Sequence, residues 1–138
     1  MKKNHFVLIG LAVVAVTIFY GVSIKPAEPV SLTALTVADG PVSVTVTPIF
    51  SDTKWSFNVA LDTHSEELNA DLTKVSVIVT DDGREYLPIN WEGDPPGGHH
   101  REGILSFNPI VPQPRFIELI LKDIGGVEER RFPWATEG

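Results

Sequence analysis

The sequence predicts an all-β domain that follows a single apolar N-terminal segment, and three observations lead to this prediction. The 138-residue chain is 43% hydrophobic, but residues 6–24 contain no charged side chain. From Val42 onward, apolar and polar residues alternate with a period of two, which is the pattern of half-buried strands. After residue 24 no segment has a convincing helical period, and the chain has no cysteine. The domain must therefore be stabilised by its core rather than by disulfides.

The apolar segment, residues 6–24, is long enough to cross a bilayer. As a helix it would span about 28 Å, close to the roughly 30 Å hydrocarbon core of a membrane. Lys2 and Lys3 precede it, and the positive-inside rule keeps residues 1–5 in the cytoplasm. The sequence thus predicts a single-pass protein of the cell membrane with an extracytoplasmic C-terminal domain. The alternative is a cleaved signal peptide, for which residues 21–23 offer a weak cleavage match.

The charge of the chain limits the classes of partner. It carries 18 acidic and 11 basic residues, a net charge of −7. Lys2, Lys3 and Lys25 precede the exported part, which is therefore more acidic than the whole chain. Nucleic acids and anionic lipids are bound through basic patches, so the excess of acidic residues argues against both kinds of partner. It suits a cationic partner, and it also suits plain solubility.

Residues 25–41 predict a linker with one short strand near Ser31 to Val37. Strand A follows at Val42 to Phe50 and strand B at residues 54–62, with a turn at residues 51–53 between them. Every second residue of both strands is apolar, so one face of each is predicted to be buried. The inward residues are Val42, Val44 and Val46 in strand A and Trp55, Phe57, Val59 and Leu61 in strand B.

A polar loop, residues 63–71, leads to strand C at residues 73–81. The loop could contain one helical turn, capped by Thr63 or Ser65. The period-two pattern of strand C predicts an inward face made of Val75, Val77 and Val79.

The dipeptide Asp82-Gly83 predicts a hairpin turn into strand D at residues 84–89. Residues 91–103, with the sequence WEGDPPGGHHREG, predict a long loop, because proline fixes φ and glycine permits positive φ. Strand E follows at residues 104–107.

Strand F, residues 115–123, is apolar on both faces and is therefore predicted to be central rather than at an edge. A turn at residues 124–127 connects it to strand G, residues 128–134. Seven such strands predict an antiparallel β-sandwich of the immunoglobulin or fibronectin type over residues 42–138. A small closed β-barrel is the alternative.

If strands A to G alternate in direction, the B–C, D–E and F–G loops fall at one end of the sandwich. His64 lies in the first of these loops, His99 and His100 in the second, and Asp123 at the start of the third. If strand A runs away from the membrane, this end faces back toward it.

These four residues, His64, His99, His100 and Asp123, match the ligands of Zn²⁺ or Cu²⁺. Neighbouring residues of an extended chain point to opposite sides, so His99 and His100 can share one ion only if the loop is strongly curled. The structural alternative is that the histidines pin the loops by hydrogen bonds, assisted by Trp91 and Arg101. Both interpretations stay open.

No recognisable catalytic constellation accompanies the histidines. His64-Ser65 places a base beside a hydroxyl, but a Gly-x-Ser-x-Gly elbow is missing from the sequence. Asp81-Asp82 lacks the remaining oxygen ligands of a calcium loop. The sequence therefore predicts that the protein is not an enzyme.

Three stretches, LDTHS, PPGGHHREGILSF and GGVEERRFPW, resemble a family of small extracytoplasmic, membrane-anchored immunoglobulin-like domains of bacteria and archaea. The resemblance covers residues 55–134, and the GGHHRxG element is its most specific part. No activity is assigned to the family, so the resemblance implies a fold and a location but no reaction. It directs attention to His64, His99, His100 and Arg101 as a set.

The predicted function is a membrane-anchored extracytoplasmic binding or accessory module without a cofactor. Its partner is expected to be another membrane or envelope protein. The residues predicted to bind it are His64, Trp91, His99, His100 and Arg101. The alternative is a metal-binding protein that holds zinc or copper(II) through His64, His99, His100 and Asp123.

Overall fold

The computed structural model describes residues 30–136, with side chains from Leu32 onward. The predicted all-β class is confirmed, because these residues form a six-stranded and a four-stranded antiparallel sheet with one helical turn. None of the helical structure in this range is long and apolar enough to cross a membrane. The predicted anchor, residues 6–24, and residues 1–5 lie outside the described part of the chain.

The strands are β1 (Val30–Ser31), β2 (Leu35–Val37), β3 (Val42–Phe50), β4 (Trp55–Thr63), β5 (Ser76–Thr80), β6 (Glu85–Tyr86), β7 (Asn90–Gly93), β8 (His100–Phe107), β9 (Phe116–Ile124) and β10 (Val127–Ala135), and the helix is α1 (Leu72–Val75).

The six-stranded sheet has the order β1-β3-β4-β8-β7, and β2 also pairs with β3. Strands β3 and β4 pair along their whole length, from Val42 opposite Thr63 to Phe50 opposite Trp55. The side chains of β3 alternate strictly between buried and half-buried positions. The predictions for strands A and B are confirmed, since every predicted inward residue of both is buried.

The four-stranded sheet has the order β10-β9-β5-β6. Strand β9 is central in it, as predicted for strand F. On one face Leu119 and Leu121 enter the core, and on the other Ile120 is buried beside its pairing partner Val77.

The buried faces of the two sheets meet in one hydrophobic core. The ring of Phe57 in the first sheet lies 5.7 Å from Trp134 of the second sheet and 5.5 Å from Phe107, between centroids. Each fully buried aromatic or branched aliphatic side chain stabilises the fold by about 1.5–3 kcal/mol. A core of this kind suits a domain that has no disulfide.

Most of the predicted loop at residues 91–103 is a β-hairpin instead. Strands β7 and β8 pair as far as Gly93 opposite Gly103, so only residues 94–99 form a loop and strand E is longer than predicted. Gly97 and Gly98, which predicted a turn, do lie in this loop, with φ of 117° and 73°. Gly93 and Gly103 instead allow the two strands to approach closely. A Cβ on Gly103 would lie 2.7 Å from Cζ2 of Trp91.

Strand C also differs from its prediction. The helical turn α1 precedes it, and Oδ1 of the capping residue Asp71 accepts a hydrogen bond from the backbone nitrogen of Thr73 at 3.0 Å. The turn delays the start of β5, and Ile78 enters the core. The predicted inward residues Val77 and Val79 therefore lie on the outer face. Predicted strand D, residues 84–89, is reduced to β6 in the second sheet, and β7 of the first sheet begins only after it, at Asn90.

The chain enters the domain at the end opposite to its histidine-bearing loops. The short strand predicted near Ser31 to Val37 is present as β1 and β2, and both extend the first sheet: Val30 pairs with Phe50, and Leu35 pairs with Val46. Val30 thus lies beside the last residue of β3. We call this end, with the turns at residues 51–54 and 81–84 and the loop at 108–115, the entry end. The loop end carries the B–C loop (residues 64–71), the D–E loop (94–99) and the F–G turn (125–126).

Candidate functional site

The three loops predicted to converge lie together at the loop end. The backbone nitrogen of Leu68 in the B–C loop donates to the carbonyl of Gly98 in the D–E loop at 3.0 Å. In return, the nitrogen of Gly97 donates to the carbonyl of Leu68 at 2.9 Å. The F–G turn completes the group, because Asp123 and Gly125 line one cleft together with the B–C loop.

Arg101 holds the B–C loop to strand β8 from inside the protein. Its side chain shares the inward face of β8 with Leu105 and is only 1% exposed. Nη1 donates to the carbonyl oxygens of Leu68 at 2.9 Å and Ala70 at 2.7 Å. Burial lowers the pKa of Arg101, while the charge of Asp94 acts in the opposite direction. The guanidinium stays protonated, since arginine is not deprotonated in proteins.

Trp91 covers Arg101 from the side of the D–E loop. The guanidinium carbon lies 5.6 Å from the centroid of the indole, within the range of a cation–π interaction. Nε1 of Trp91 donates to the carbonyl of Asp94 at 3.0 Å. The same indole lies over Gly103. Trp91 and Arg101, both predicted to bind a partner, make contacts that position loops.

A second buried arginine, Arg130, was missed by the sequence-based prediction. It is also 1% exposed. Nη1 donates to the carbonyl of Ile124 at 2.5 Å, and Nη2 donates to those of Asp39 at 2.7 Å and Val42 at 3.1 Å. Arg130 therefore fastens the F–G turn to the segment that enters β3. The available signal was the period-two face of strand G, which contains Arg130, Phe132 and Trp134.

The adjacent histidines contact different carboxylates on the surface. His100 lies opposite Asp62 across β8 and β4, with Nδ1 2.5 Å from Oδ1. This hydrogen bond, together with the charge of Asp62, raises the pKa of His100 above its ordinary value of 6.5. Nε2 of His99 lies 4.0 Å from Oε1 of Glu67. His100 thus links β8 to β4 by a hydrogen bond, whereas His99 lies near Glu67 of the B–C loop without a hydrogen bond to it.

The other two predicted metal ligands lie elsewhere on the loop end. His64 is exposed and lines a shallow depression with Gly40 and Ser43, whereas Asp123 lines the cleft beside the B–C loop. Across residues 32–136, no three His, Cys, Asp or Glu side chains are grouped so that they could hold a metal ion. A zinc or copper(II) site stays a prediction, and it would require these side chains to rearrange.

A cleft of about 360 Å³ opens between the B–C loop and the F–G turn. Its volume falls within the ~300–1,000 Å³ of small-ligand sites. Asp123 at its edge has a φ of 53°, which is uncommon outside glycine. The cleft could accept an apolar stem that ends in a cation, such as a lysine side chain. The apolar lining is Val42, Leu61, Leu68 and Ile124, and the charged lining is Glu66, Glu67, Asp123 and the buried Arg101. The carboxylate of Glu67 also accepts a hydrogen bond from the backbone nitrogen of Gly98 at 3.0 Å.

The Thr-His-Ser motif has a clear local role. Thr63 Oγ1 donates to the carbonyl of Pro41 at 2.8 Å and accepts from the backbone nitrogens of Ser65 and Glu66. It therefore ends β4 and starts the B–C loop.

No family model, no curated protein and no solved structure matches this chain.

Proposed function

We propose that this chain is a membrane-anchored, extracytoplasmic binding module of the immunoglobulin-like class, without catalytic activity. The strand orders β3-β4-β8-β7 and β10-β9-β5-β6 correspond to the A-B-E-D and G-F-C-C′ orders of immunoglobulin-like sandwiches. This correspondence supports the class over a closed barrel. The uncharged length of residues 6–24 supports the anchor.

The observation that carries the proposal is the cleft at the loop end, whose walls are fixed from within. Arg101 holds the B–C loop, and Arg130 holds the F–G turn, each through carbonyl oxygens. Loops ordered before binding lose little conformational entropy when a partner arrives. Binding residues commonly occupy such loops on a rigid β-scaffold.

The partner that fits this cleft is a protein segment with a lysine or arginine side chain. The apolar lining suits the methylene stem, and the carboxylates of Glu66 and Asp123 suit the charged head. The exposed side chains of His64, His99 and His100 flank the B–C and D–E loops and are available to the same partner. We expect this partner to be another membrane or envelope protein.

The experiment is a calorimetric titration of the full chain, in detergent micelles, with tetralysine as the basic probe. The test variant is Glu66→Gln/Asp123→Asn, which neutralises two charges at the cleft. The matched control is Glu85→Gln/Glu128→Gln, which makes the same change in net charge at exposed positions that do not line the cleft. We expect the test variant to bind about tenfold more weakly, equivalent to ~1.4 kcal/mol, and the control to bind as the unaltered chain does.

Two results would contradict the proposed site. Equal weakening in both variants would mean that the probe responds to net charge rather than to the cleft. Binding of tetraglutamate in place of tetralysine would mean that the sign of the predicted ligand is wrong.

A further inference from the structure

The large apolar side chains that are exposed among the described residues gather at and beside the entry end. Val111 is 87% exposed and Leu87 is 71% exposed, and Ile89 and Phe116 are exposed as well. Isolated exposed apolar residues are ordinary on a protein surface, but a group of them on one side marks a contact surface. We call these four residues the apolar rim.

Their positions follow from the strand ends. Val111 lies in the loop at residues 108–115 that leaves β8, and Phe116 is the first residue of β9. The carbonyl of Phe116 accepts a hydrogen bond from Asp81 of the neighbouring turn at 3.2 Å. The backbone nitrogen of Ile89 donates a hydrogen bond to the carbonyl of Ser106, at 2.8 Å, near the end of β8. Leu87 lies on the same crossover between β6 and β7.

The two ends also differ in their balance of acidic and basic side chains. At the entry end, Arg84 pairs with Asp82 at 3.1 Å and Arg115 lies 3.7 Å from Asp81, so acids and bases balance locally. At the loop end, the carboxylates of Glu66, Glu67 and Asp123 surround the cleft, and the arginines there are buried and bonded to carbonyl oxygens. Only the entry end could approach an anionic bilayer without strong repulsion.

The tether between the domain and the predicted anchor is short. Because β1 begins at Val30, residues 25–29 alone connect it to residue 24. This segment reaches at most about 20 Å when fully extended. It joins the domain at the entry end, the same end that carries the apolar rim. A short tether holds even a weak contact at a high effective concentration.

We propose that the entry end rests on the bilayer, with the apolar rim inserted at the headgroup level and the loop end directed away from the membrane. This inference rests on the proposed membrane anchor and adds to it an orientation and a lipid contact. Apolar side chains at this depth leave water for the headgroup and acyl boundary, about 5–10 Å into the bilayer. Strands of nine residues place the loop end about 30 Å farther out. This orientation is the opposite of the one expected for a strand A that runs away from the membrane.

The test uses the full chain in phosphatidylcholine vesicles that contain a lipid with a nitroxide on its acyl chain. The chain has no cysteine, so a single V111C or S65C substitution accepts one environment-sensitive fluorophore. Both positions are exposed, and they mark the entry end and the loop end respectively. We expect the nitroxide lipid to quench the label at position 111 and to leave the label at position 65 unquenched.

A second variant tests whether the fluorophore alone, rather than the protein surface, causes the quenching. Leu87→Asp/Ile89→Asp, added to V111C, should reduce the quenching at position 111, because charged side chains oppose insertion. Unchanged quenching would mean that the fluorophore itself partitions into lipid, and would overturn the inference. Tryptophan fluorescence checks that the variant is folded.

Flotation of the vesicles after an alkaline carbonate wash tests the membrane anchor separately from the lipid contact of the apolar rim. Flotation without quenching at position 111 overturns the lipid contact and leaves the anchor in place. A label shielded from water but not quenched by lipid would mean that a protein surface, such as a second copy of the chain, covers the rim, and it too would overturn the inference. Failure to float contradicts the anchor and the orientation together.

Discussion

Replacing Arg101 with methionine tests whether this side chain is the internal support of the B–C loop. Methionine keeps an unbranched apolar stem but removes the guanidinium. The carbonyl of Leu68 retains its bond from Gly97, at 2.9 Å, whereas the half-buried carbonyl of Ala70 loses its donor at 2.7 Å. The substitution also removes the contact with Trp91.

The magnitude follows from these losses. Hydrogen bonds from a charged donor contribute about 1.5–3 kcal/mol each, and the cation–π contact contributes about 0.5–2 kcal/mol. Relief of the buried charge offsets part of this, because an apolar side chain avoids a desolvation cost of several kcal/mol. We expect Arg101→Met to lower the free energy of unfolding by about 3 kcal/mol.

The assay is urea unfolding of the full chain in micelles, followed by tryptophan fluorescence. Trp55, Trp91 and Trp134 all lie in the described domain, so the signal reports this domain alone. With a slope of about 1.5 kcal/mol/M, the midpoint should fall by about 2 M. Arg84→Met is the control: its side chain is 71% exposed and pairs with Asp82 on the surface, so it should change stability by less than about 1 kcal/mol. Equal midpoints for the two variants would refute the role given to Arg101.

The remaining predictions concern the other contacts of the loop end. Arg130→Met should destabilise the domain by about 3 kcal/mol in the same urea assay, because three carbonyl oxygens lose their donor; full stability would contradict it. Gly103→Ala should lower the melting temperature, since its Cβ would lie 2.6 Å from the carbonyl oxygen of Glu92; an unchanged value in a thermal scan would show that the strands can separate there. Asp62→Asn should return the pKa of His100 toward 6.5 in an NMR titration, because Asp62 is the main cause of its increase. The stability that this pair contributes is present below pH 6.5 and disappears as the pH rises through the raised pKa of the folded state, so Asp62→Asn should lose its destabilising effect at high pH.

The parts of the fold that the sequence predicted correctly are those where one physical signal acts alone. In β3 and β4, strict alternation of valines and aromatic residues with polar ones determines which face is buried. Strand β9 is apolar on both faces, and it lies between two partners. Neither inference needed information about distant residues.

Two of the failures have a common cause, which is that local signals were overridden by tertiary contacts. Gly93 and Gly103 flank the Pro-Pro-Gly-Gly turn that suggested a long loop, but they allow two strands to pack closely beneath Trp91. The displacement of strand C has a different cause, a local signal that the prediction missed, because Asp71 caps a helical turn through Thr73. Arg130 would be expected on the surface by its charge, yet the carbonyl oxygens that satisfy it lie far away in the sequence, at Asp39 and Val42.

The candidate site, like the fold, was predicted from the sequence only in part. The convergence of the three loops followed from strand alternation alone, and the structure places these loops together. The interactions of the histidines could not be predicted, because their partners are set by strand register: Asp62 faces His100 only through the pairing of β4 with β8. The cleft depends on the buried Arg101 and Arg130, neither of which has a sequence signal for the carbonyls that it contacts.

The central claim is that the cleft at the loop end receives a cationic side chain, and a residue-resolved map of binding tests it most directly. The measurement is the change in backbone amide chemical shifts of the full chain in micelles when tetralysine is added. The account predicts shifts confined to the B–C loop and the F–G turn, around Glu66, Leu68 and Asp123, and their loss in Glu66→Gln/Asp123→Asn. Shifts spread over all acidic surfaces, or centred on the outer face of β10, would contradict it.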